Sequence, residues 1–321
     1  MNINLDIIIP CYNSKKTLFN TLSSINIQQE VKGFKVYLVN DKSKYDYQEE
    51  VSFFSKFFEI QEIKLEKNIG PGGARNGGIK RSKSEYIMFM DSDDILYDCF
   101  SLRNLYKNVL NHDLCISHFI LERDNIKVIK HNNYVWLHGK VYKRKFLVKN
   151  NIYFNNTRAN EDNGFNRLIL LLEPKIIYLD KITYVYKENA SSITRKNDRK
   201  YKIFGLKGFI YNMKWAIDEA LARKVNPDFV PYLVTGTYIS MYYDYLYYKD
   251  DKNVEKIIEY CKDLLPYYKK YGKATKEYIE ETSKYKDFEY QFEDKKIIKH
   301  ITFDEFMKRI EEYDWYYYSL L

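Results

Sequence analysis

Two acidic pairs are the residues of this chain whose spacing could support chemistry, and the first is Asp91-Ser92-Asp93. It directly follows the apolar run Tyr86-Ile-Met-Phe-Met90. Two carboxylates at this spacing can hold one hard divalent cation, which in turn can neutralise a diphosphate. The alternative is a polar turn in which Asp94 caps a helix, and an isolated D-x-D also arises by chance. The position after an apolar run favours the cation site.

The second acidic pair is Glu161-Asp162, which stands just before the apolar segment Phe165 to Leu172. Acidic residues at the N-terminus of a helix commonly serve as caps. A carboxylate that faces a cleft can instead act as a general base. The residues alone favour capping, and both interpretations stay open.

The segment from Asn68 to Gly78 holds five of the twelve glycines. Glycines at the start of a helix allow the backbone to approach a phosphate closely, and Arg75 would add a charged donor. The segment is not a P-loop, because Ile79-Lys80 stands where Lys-Ser/Thr is required. A tight turn that packs a helix onto a sheet explains the glycines equally well.

Two further polar residues are candidates for ligand contacts. Asp41 lies just past the strand-like run 34–39, where a carboxylate can accept a hydrogen bond from a ribose or from a base imino group. Turn formation is an equal alternative. His138 could bind a metal or a phosphate, although a lone histidine is more often an ordinary, partly buried side chain.

Strand-like and helix-like segments alternate over the first 115 residues. The predicted strands are 5–9, 34–39, 60–65 and 86–90, and the third intervening helix spans 70–80 with Pro71 in its first turn. This alternation predicts an α/β fold with a mostly parallel sheet flanked by helices. Ligands bind beyond the carboxyl ends of the strands in such a sheet. The segments 10–13, 40–43 and 91–94 should therefore converge.

A shift in composition near residue 200 divides the chain into 1–200 and 201–321. The second part is mostly helical and contains 20 of the 33 tyrosines. Thr302 followed by Glu305 forms a capping box that predicts a helix over 302–312. The aromatic tail, Trp315 to Leu321, could lie at a bilayer interface, but packing against the helices is favoured because this part carries balanced charge.

Composition and charge exclude several classes of protein. The chain has 45% hydrophobic and 30% charged residues, which is typical of a globular protein and excludes disorder. No apolar run is long enough to span a bilayer, and residues 1–6 do not resemble a signal peptide. The four cysteines lie far apart in the sequence, which predicts a protein with reduced thiols in the cytoplasm. Residues 1–200 hold 32 Lys and Arg against 23 Asp and Glu, which favours an anionic partner. Only the positive charge and the many tyrosines favour binding of a nucleic acid, so no nucleic-acid partner is expected.

Taken together, these segments resemble the family 2 glycosyltransferases, which are inverting enzymes with the GT-A fold. The resemblance covers roughly residues 3–195. It rests on these blocks in order: Ile7-Ile-Ile-Pro-Cys-Tyr-Asn13, Val39-Asn-Asp-Lys-Ser43, Asn68-x-Gly70, Ala74-Arg-Asn76, Tyr86 to Asp94, His138-Gly-Lys-Val-Tyr142 and Glu161-Asp162-Asn-Gly-Phe165. The chain departs from the family at Lys42, where glycine is usual. It also lacks, within Thr183 to Thr194, the histidine that adds a metal ligand in many relatives, which leaves metal ligands beyond the D-x-D open.

The resemblance implies a donor site for a UDP-sugar. Pro10, Tyr12 and Asp41 would hold the uridine, with Asp41 on the uracil edge. Asn68 and Arg75 would contact the nucleotide or its phosphates.

The resemblance also implies a metal site and a base. Asp93 would coordinate Mn²⁺ or Mg²⁺, while Asp91 would bind the ribose or support the metal, with Ser92 beside them on the donor side. Asp162, paired with Glu161, would be the general base that takes a proton from the acceptor hydroxyl as that oxygen attacks the anomeric carbon.

The implied activity is metal-dependent transfer of a sugar from a UDP-sugar to a hydroxyl of a bacterial surface glycan, such as a capsule, teichoic acid or lipid-linked oligosaccharide. The alternatives are transfer to a protein or lipid, and a non-catalytic nucleotide- or glycan-binding protein with the same fold. The expected location is the cytoplasm, with peripheral contact at the inner face of the membrane as an open possibility. A homo-oligomer formed through the C-terminal helices is equally open. The sugar and the acceptor depend on pocket shape and are not predicted.

Overall fold

The protein is described by a computed structural model that covers residues 1–123, 126–187, 199–292 and 297–318. The chain forms two compact units, Met1–Ala190 and Ser191–Leu321. The prediction for the aromatic tail 315–321 concerns side chains that lie outside the described ones.

A nine-stranded sheet forms the centre of the first unit. Its strands are β1 Leu5–Cys11, β2 Lys35–Asn40, β3 Glu59–Lys64, β4 Tyr86–Phe89, β5 Ile95–Leu96, β6 Leu114–Arg123, β7 Ile126–Lys130, β8 Lys140–Lys143 and β9 Ile176–Tyr186. Its helices are α1 Lys15–Asn26, α2 Gln48–Phe54, α3 Gly70–Arg81, α4 Ser101–Val109, α5 Arg144–Lys149 and α6 Glu161–Leu171. The strand order is β3-β2-β1-β4-β8-β6-β9-β5, and β7 pairs with β6 outside this path.

The first four strands of the path are parallel, as the alternating pattern predicts. Strand β1 pairs in parallel with β2 on one side and β4 on the other, and β3 extends the sheet beyond β2. The isoleucines of the run 7–9 are fully buried, as expected of a central parallel strand covered on both faces. The carboxyl ends of β1, β2 and β4 therefore meet at one edge of the sheet.

The rest of the sheet is mixed, since β6 and β9 pair in parallel while β5, β7 and β8 run antiparallel to their neighbours. Strand β7 pairs antiparallel with β6, and β8 keeps the direction of β7. Consequently β8 lies antiparallel to both β4 and β6. Strands that reverse direction need only a short connection, whereas a parallel neighbour requires a crossover. A pattern read along the sequence does not show this reversal.

Helices form the second unit. They are α7 Arg199–Ala222, α8 Val230–Tyr247, α9 Glu255–Cys261, α10 Leu265–Tyr271, α11 Lys276–Phe292 and α12 Phe303–Tyr318. Several tyrosines of α8 are buried and bond to backbone carbonyls, as Tyr238 does to Cys261, so these serve packing. The capping box is confirmed, because Thr302 and Glu305 exchange hydrogen bonds at the start of α12. None of the helices in the described ranges is both long and apolar enough to cross a membrane.

Candidate functional site

The carboxyl end of β2 and the start of α3 meet at Asp41. The buried Asp41 carboxylate accepts hydrogen bonds from the backbone N–H groups of Ile69, at 2.8 Å, and of Gly70, at 2.9 Å. Asn68 Nδ2 donates to the Asp41 carbonyl at 3.0 Å. Burial raises the pKa of Asp41, although these N–H groups act against the shift. The structure thus brings two of the expected nucleotide contacts, Asp41 and Asn68, together at a helix N-terminus.

The glycines of α3 allow the helix to pack closely. A Cβ at Gly78 would lie 2.3 Å from Ile8 Cγ2 of β1, and a Cβ at Gly72 would lie 3.0 Å from Glu161 Cγ. Gly70, at the start of the helix, has a φ of +83°, a conformation that favours glycine. These positions confirm that glycine is needed to pack α3 onto the sheet and against the start of α6.

Pro10 and Tyr12 lie at the carboxyl end of β1, beside the Asp41 turn. Pro10 is partly buried, whereas 53% of Tyr12 is exposed. An exposed aromatic ring at this edge can stack on a planar ligand. The position suits the expected contact with a base.

Arg75 joins three segments that are distant in the sequence. Only 4% of its surface is exposed, and its Nη1 and Nη2 lie 2.6 Å from Glu161 Oε1 and 2.6 Å from Asp91 Oδ1. The guanidinium also lies 5.4 Å from the ring centroid of Phe154. Burial opposes the charge, but Asp91 and Glu161 raise the pKa of Arg75, so it stays a cation. Both terminal nitrogens of Arg75 therefore bind carboxylates of the protein itself. The expected contact of Arg75 with a nucleotide or its phosphates stays a prediction.

Asp91 is ionised in this setting. Although burial favours the neutral form, Arg75 and His138 hold the pKa of Asp91 well below its usual range. Its second oxygen, Oδ2, lies 3.7 Å from His138 Nε2. Asp91 thus offers a carboxylate oxygen on the side away from Arg75.

Asp94 does not cap a helix, because the short strand β5 follows it. Its fully buried carboxyl accepts hydrogen bonds from Tyr184 Oη at 2.7 Å and from the Lys187 N–H at 2.9 Å. Burial and the nearby charges of Asp91 and Asp93 raise the pKa of Asp94 well above its ordinary value. Asp94 therefore favours the neutral acid, in contrast to Asp91.

His138 is buried between two tyrosine rings and faces these carboxyl groups. Its ring centroid lies 5.0 Å from that of Tyr184 and 4.7 Å from that of Tyr186, and its Nε2 lies 3.6 Å from Asp94 Oδ2. Burial lowers the pKa of His138, despite the opposing effect of Asp91. The histidine is therefore part of the acidic site, so of the two alternatives that the sequence left open the structure favours a ligand-binding position.

Asp91, Asp94 and His138 could hold a cation together. One ligand atom from each lies within 4.8 Å of the others. Two carboxyl groups and a neutral imidazole are ligand types that divalent transition metals accept, so the residues fit an ion such as Mn²⁺. Asp93, the expected metal ligand, is not part of this group; it is partly exposed next to Ser92, and its role as a ligand stays a prediction.

The second acidic pair lies in the first turn of α6, and its two carboxyl groups have different environments. Glu161 is buried against Arg75, whereas Asp162 is partly exposed. Desolvation and the neighbouring Glu161 charge raise the pKa of Asp162 to about 7. A carboxylate poised near neutrality is suited to accept a proton. Of the pair, Asp162 is therefore the one available for chemistry.

Three buried polar residues of β8 and α6 are not among the predicted site residues. Lys140 is fully buried and its ammonium donates to the Trp136 carbonyl, while Tyr142 Oη donates to Asn166 Oδ1 at 2.8 Å. The sequence signal for them is the pair of polar residues at alternate positions of a strand, Lys140 and Tyr142.

Replacing Arg75 tests how far the fold depends on this bridge. In Arg75→Met, two carboxylates lose their buried partner, so the free energy of unfolding should fall by about 3–5 kcal/mol. Urea denaturation followed by circular dichroism measures it. Arg103→Met is the matched control, because Arg103 pairs with Glu30 near the surface and its loss should cost less than about 1 kcal/mol. Equal losses in the two variants would contradict a special role for the Arg75 bridge.

Comparison with known proteins identifies the sequence family. The family model for Glycosyl transferase family 2 matches residues 6–160. The chain is 27% identical over 225 residues to the glycosyltransferase GlyA of Streptococcus pneumoniae, covering 60% of this chain and 31% of that protein. It is 28% identical over 204 residues to the poly(ribitol-phosphate) β-N-acetylglucosaminyltransferase TarP of Staphylococcus aureus, covering 57% of this chain and 61% of that protein. The chain thus spans less than two thirds of the length of either relative.

Solved structures share the fold. Residues 1–349 of S. aureus TarS, solved in complex with UDP, match with a TM-score of 0.66 at 20% identity, over 83% of this chain and 81% of that one. The mannosyltransferase PcManGT from Pyrobaculum calidifontis, solved with GDP-Man and Mn²⁺, matches with a TM-score of 0.54 at 12% identity, over 90% and 81%. This likeness confirms the expected GT-A fold with a helical C-terminal region. Over residues 6–160, where the family model matches, this part of the chain belongs to the family 2 glycosyltransferases.

Proposed function

We propose that this protein is a metal-dependent inverting glycosyltransferase that moves a sugar from a UDP-sugar to a hydroxyl of a bacterial surface glycan. The observation that carries the proposal is the Arg75 bridge, which joins Asp91 of the D-x-D to the Glu161-Asp162 pair although about seventy residues separate them. A cation site and a base held in one rigid network are what sugar transfer from a diphosphate requires. The name of the relative TarP, a poly(ribitol-phosphate) glycosyltransferase, supports a teichoic acid acceptor.

The donor would lie along the carboxyl ends of β1 and β2. Pro10 and Tyr12 would contact the uracil ring, and Asp41 would accept a hydrogen bond from it. The N–H groups of Ile69 and Gly70 at the start of α3 bond to the Asp41 carboxylate and would hold it in place for this contact. The UDP and UDP-GlcNAc complexes of TarS, a protein of the same fold, support a uridine donor.

The metal would be Mn²⁺ or Mg²⁺, held by Asp93 and Asp91, with Ser92 on the donor side. Bound there, the ion would neutralise the charge that develops on the diphosphate leaving group. Asp91 contributes a carboxylate that Arg75 keeps ionised and oriented. Asp94 and His138 lie behind it and are alternative ligands.

Asp162 would act as the general base. The acceptor hydroxyl is too weak a nucleophile by itself, so Asp162 accepts its proton as the oxygen attacks the anomeric carbon and the bond to UDP breaks. Glu161 keeps the helix start in place through Arg75 and is not free to accept the proton. Peripheral membrane contact and self-association through the C-terminal helices stay predictions.

Replacing the base tests the reaction. Asp162→Asn should leave UDP affinity unchanged and lower turnover about 10²-fold or more, the usual scale for losing a general base. Calorimetry measures UDP binding, and UDP release measures turnover with the best-hydrolysed member of a UDP-sugar panel, water being the acceptor. Glu173→Gln, an exposed carboxyl just past the end of the same helix, is the control and should behave as wild type. Near-normal turnover of Asp162→Asn would return Asp162 to the role of a helix cap.

The dependence of turnover on pH follows from the raised pKa of Asp162. Only the deprotonated carboxylate can accept a proton, so turnover should rise about tenfold per pH unit below about 7 and level off above it. UDP release at saturating donor from pH 5 to 9 measures the profile. A profile already flat at pH 5 would mean that the base has an ordinary carboxyl pKa and is not Asp162 as described.

The metal ligands can be distinguished by a pair of variants. Asp93→Ala should abolish the Mn²⁺-dependent part of UDP binding, since it removes a ligand oxygen, whereas His138→Gln should retain most of it. Titration calorimetry of UDP with and without Mn²⁺ measures both. The reverse pattern would assign the ion to Asp91, Asp94 and His138 and remove Asp93 from the metal site.

A further inference from the structure

Tyr47 is a fully buried residue whose hydroxyl joins two loops. The residue lies just before α2, and its side chain packs in the core of the first unit with 0% exposed surface. Its Oη accepts a hydrogen bond from the Ser14 N–H at 3.2 Å and lies 3.1 Å from Ser14 Oγ and 3.0 Å from Ser43 Oγ. A hydroxyl has one donor and two acceptor sites, so these three partners use its full capacity. The partners come from two separate segments of the chain.

The two serines belong to the loops that carry the expected contacts with the base. Ser14 lies two residues after Tyr12, and Ser43 lies two residues after Asp41. The regular pairing of β1 with β2 ends with these strands, before either serine is reached. Beyond the strands, the Tyr47 hydroxyl is therefore one of the groups that set the distance between the loops.

Asn13 makes further hydrogen bonds between the same loops. Its N–H donates to Ser43 Oγ at 3.0 Å, and its Oδ1 accepts from the Lys44 N–H at 3.0 Å. Tyr47 is also attached to the sheet, because its own N–H donates to Glu62 Oε1 of β3 at 3.3 Å. The hydroxyl of Tyr47 thus connects both loops to a residue that the sheet and the core hold in place.

Both loops contain a backbone conformation that is costly for residues other than glycine. Asn13 has a φ of +54°, and Lys42, next to Asp41, has a φ of +60°. Residues with a side chain rarely adopt this left-handed region, although asparagine tolerates it better than lysine does. Such a conformation persists only where surrounding contacts hold it. The bond between Ser43 and Tyr47 provides such a contact directly after Lys42.

We propose that Tyr47 is a positioning residue for the nucleoside end of the donor. Its hydroxyl holds the loop of Tyr12 and the loop of Asp41 at one separation, so that the ring and the carboxylate contact the same base. Tyr47 itself does not touch the donor, since it is fully buried. The inference rests on the proposed function, in which Tyr12 and Asp41 bind the uracil of a UDP-sugar.

Tyr47→Phe removes the hydroxyl and keeps the ring that packs in the core. If the loops then reach the binding arrangement about one time in ten, the dissociation constants for UDP and UMP should both rise about tenfold. KM for the UDP-sugar should rise by the same factor while kcat stays unchanged, because the metal site and the base are untouched. Titration calorimetry measures the dissociation constants, and UDP release measures KM and kcat. Unchanged affinity of folded Tyr47→Phe for both nucleotides would overturn the proposal.

Tyr238→Phe is the matched control for a tyrosine that serves packing alone. Tyr238 is equally buried, and its Oη donates to the Cys261 carbonyl at 3.1 Å within the second unit. This variant should lose a similar amount of thermal stability and bind UDP as the wild-type protein does. If Tyr47→Phe likewise loses only thermal stability, or loses turnover only in proportion to folded protein with KM unchanged, Tyr47 is structural and the proposal is wrong.

A double-mutant cycle with Ser43 connects the effect to the loops. Ser43→Ala leaves the core intact, so it tests the same contact even if Tyr47→Phe does not fold. Alone it should raise the dissociation constant for UDP about tenfold. Adding it to Tyr47→Phe should raise that constant by less than about twofold more, because both changes break one contact. Wild-type affinity of Ser43→Ala, or effects of the two changes that multiply, would overturn the proposal.

Failure of the proposed function would give a different result. If the wild-type protein binds neither UDP nor UMP, the uridine donor is wrong and this inference is overturned with it. If the wild-type protein binds both and Tyr47→Phe binds them equally well, the donor assignment stands and only the role of Tyr47 is overturned.

Discussion

The site depends on one buried cation, Arg75, placed between two carboxylates from distant parts of the chain. A guanidinium with 4% exposure is stable only if its charge is compensated, and Asp91 and Glu161 each do so at 2.6 Å. Because the fork of the guanidinium is planar and rigid, it fixes the angle between its partners as well as their distance. The end of β4, the middle of α3 and the start of α6 are consequently held in one arrangement.

The bridge also separates the roles of neighbouring carboxyl groups. Asp91, which lies next to Arg75, is held ionised, whereas Asp94, three residues later, is driven toward the neutral acid by burial and by its acidic neighbours. In α6, Glu161 takes the guanidinium and its charge helps to raise the pKa of Asp162. Groups of one chemical type thus acquire different proton affinities from their surroundings, which is how a fold assigns acid, base and ligand roles.

The sequence predicted what is local. Apolar runs followed by polar turns were sufficient to predict the first four strands. They were also sufficient to predict that Asp41 and Asp91 lie at one edge of the sheet, since parallel strands end on the same side. The order of the sequence blocks between residues 7 and 165 was sufficient to predict the family. Contacts between distant segments could not be read in this way: Arg75 was expected to meet a ligand, and its carboxylate partners lie 16 and 86 residues away. The reversal of direction at β7, the burial of Asp94 and the neighbours of Lys140 are tertiary features of the same kind.

The two interpretations of Glu161-Asp162, helix cap and general base, turn out to be compatible. Acidic groups in the first turn of a helix interact favourably with the helix dipole, and this holds whichever of them does chemistry. Glu161 is buried and closes the bridge to Arg75, while Asp162 is one position further round the helix and partly exposed. Adjacent residues of a helix point about 100° apart, so one acidic dipeptide can supply a structural carboxylate and a reactive one. The ion pair of Glu161 with Arg75 would thereby hold the start of α6, and with it the proposed base Asp162, in one place.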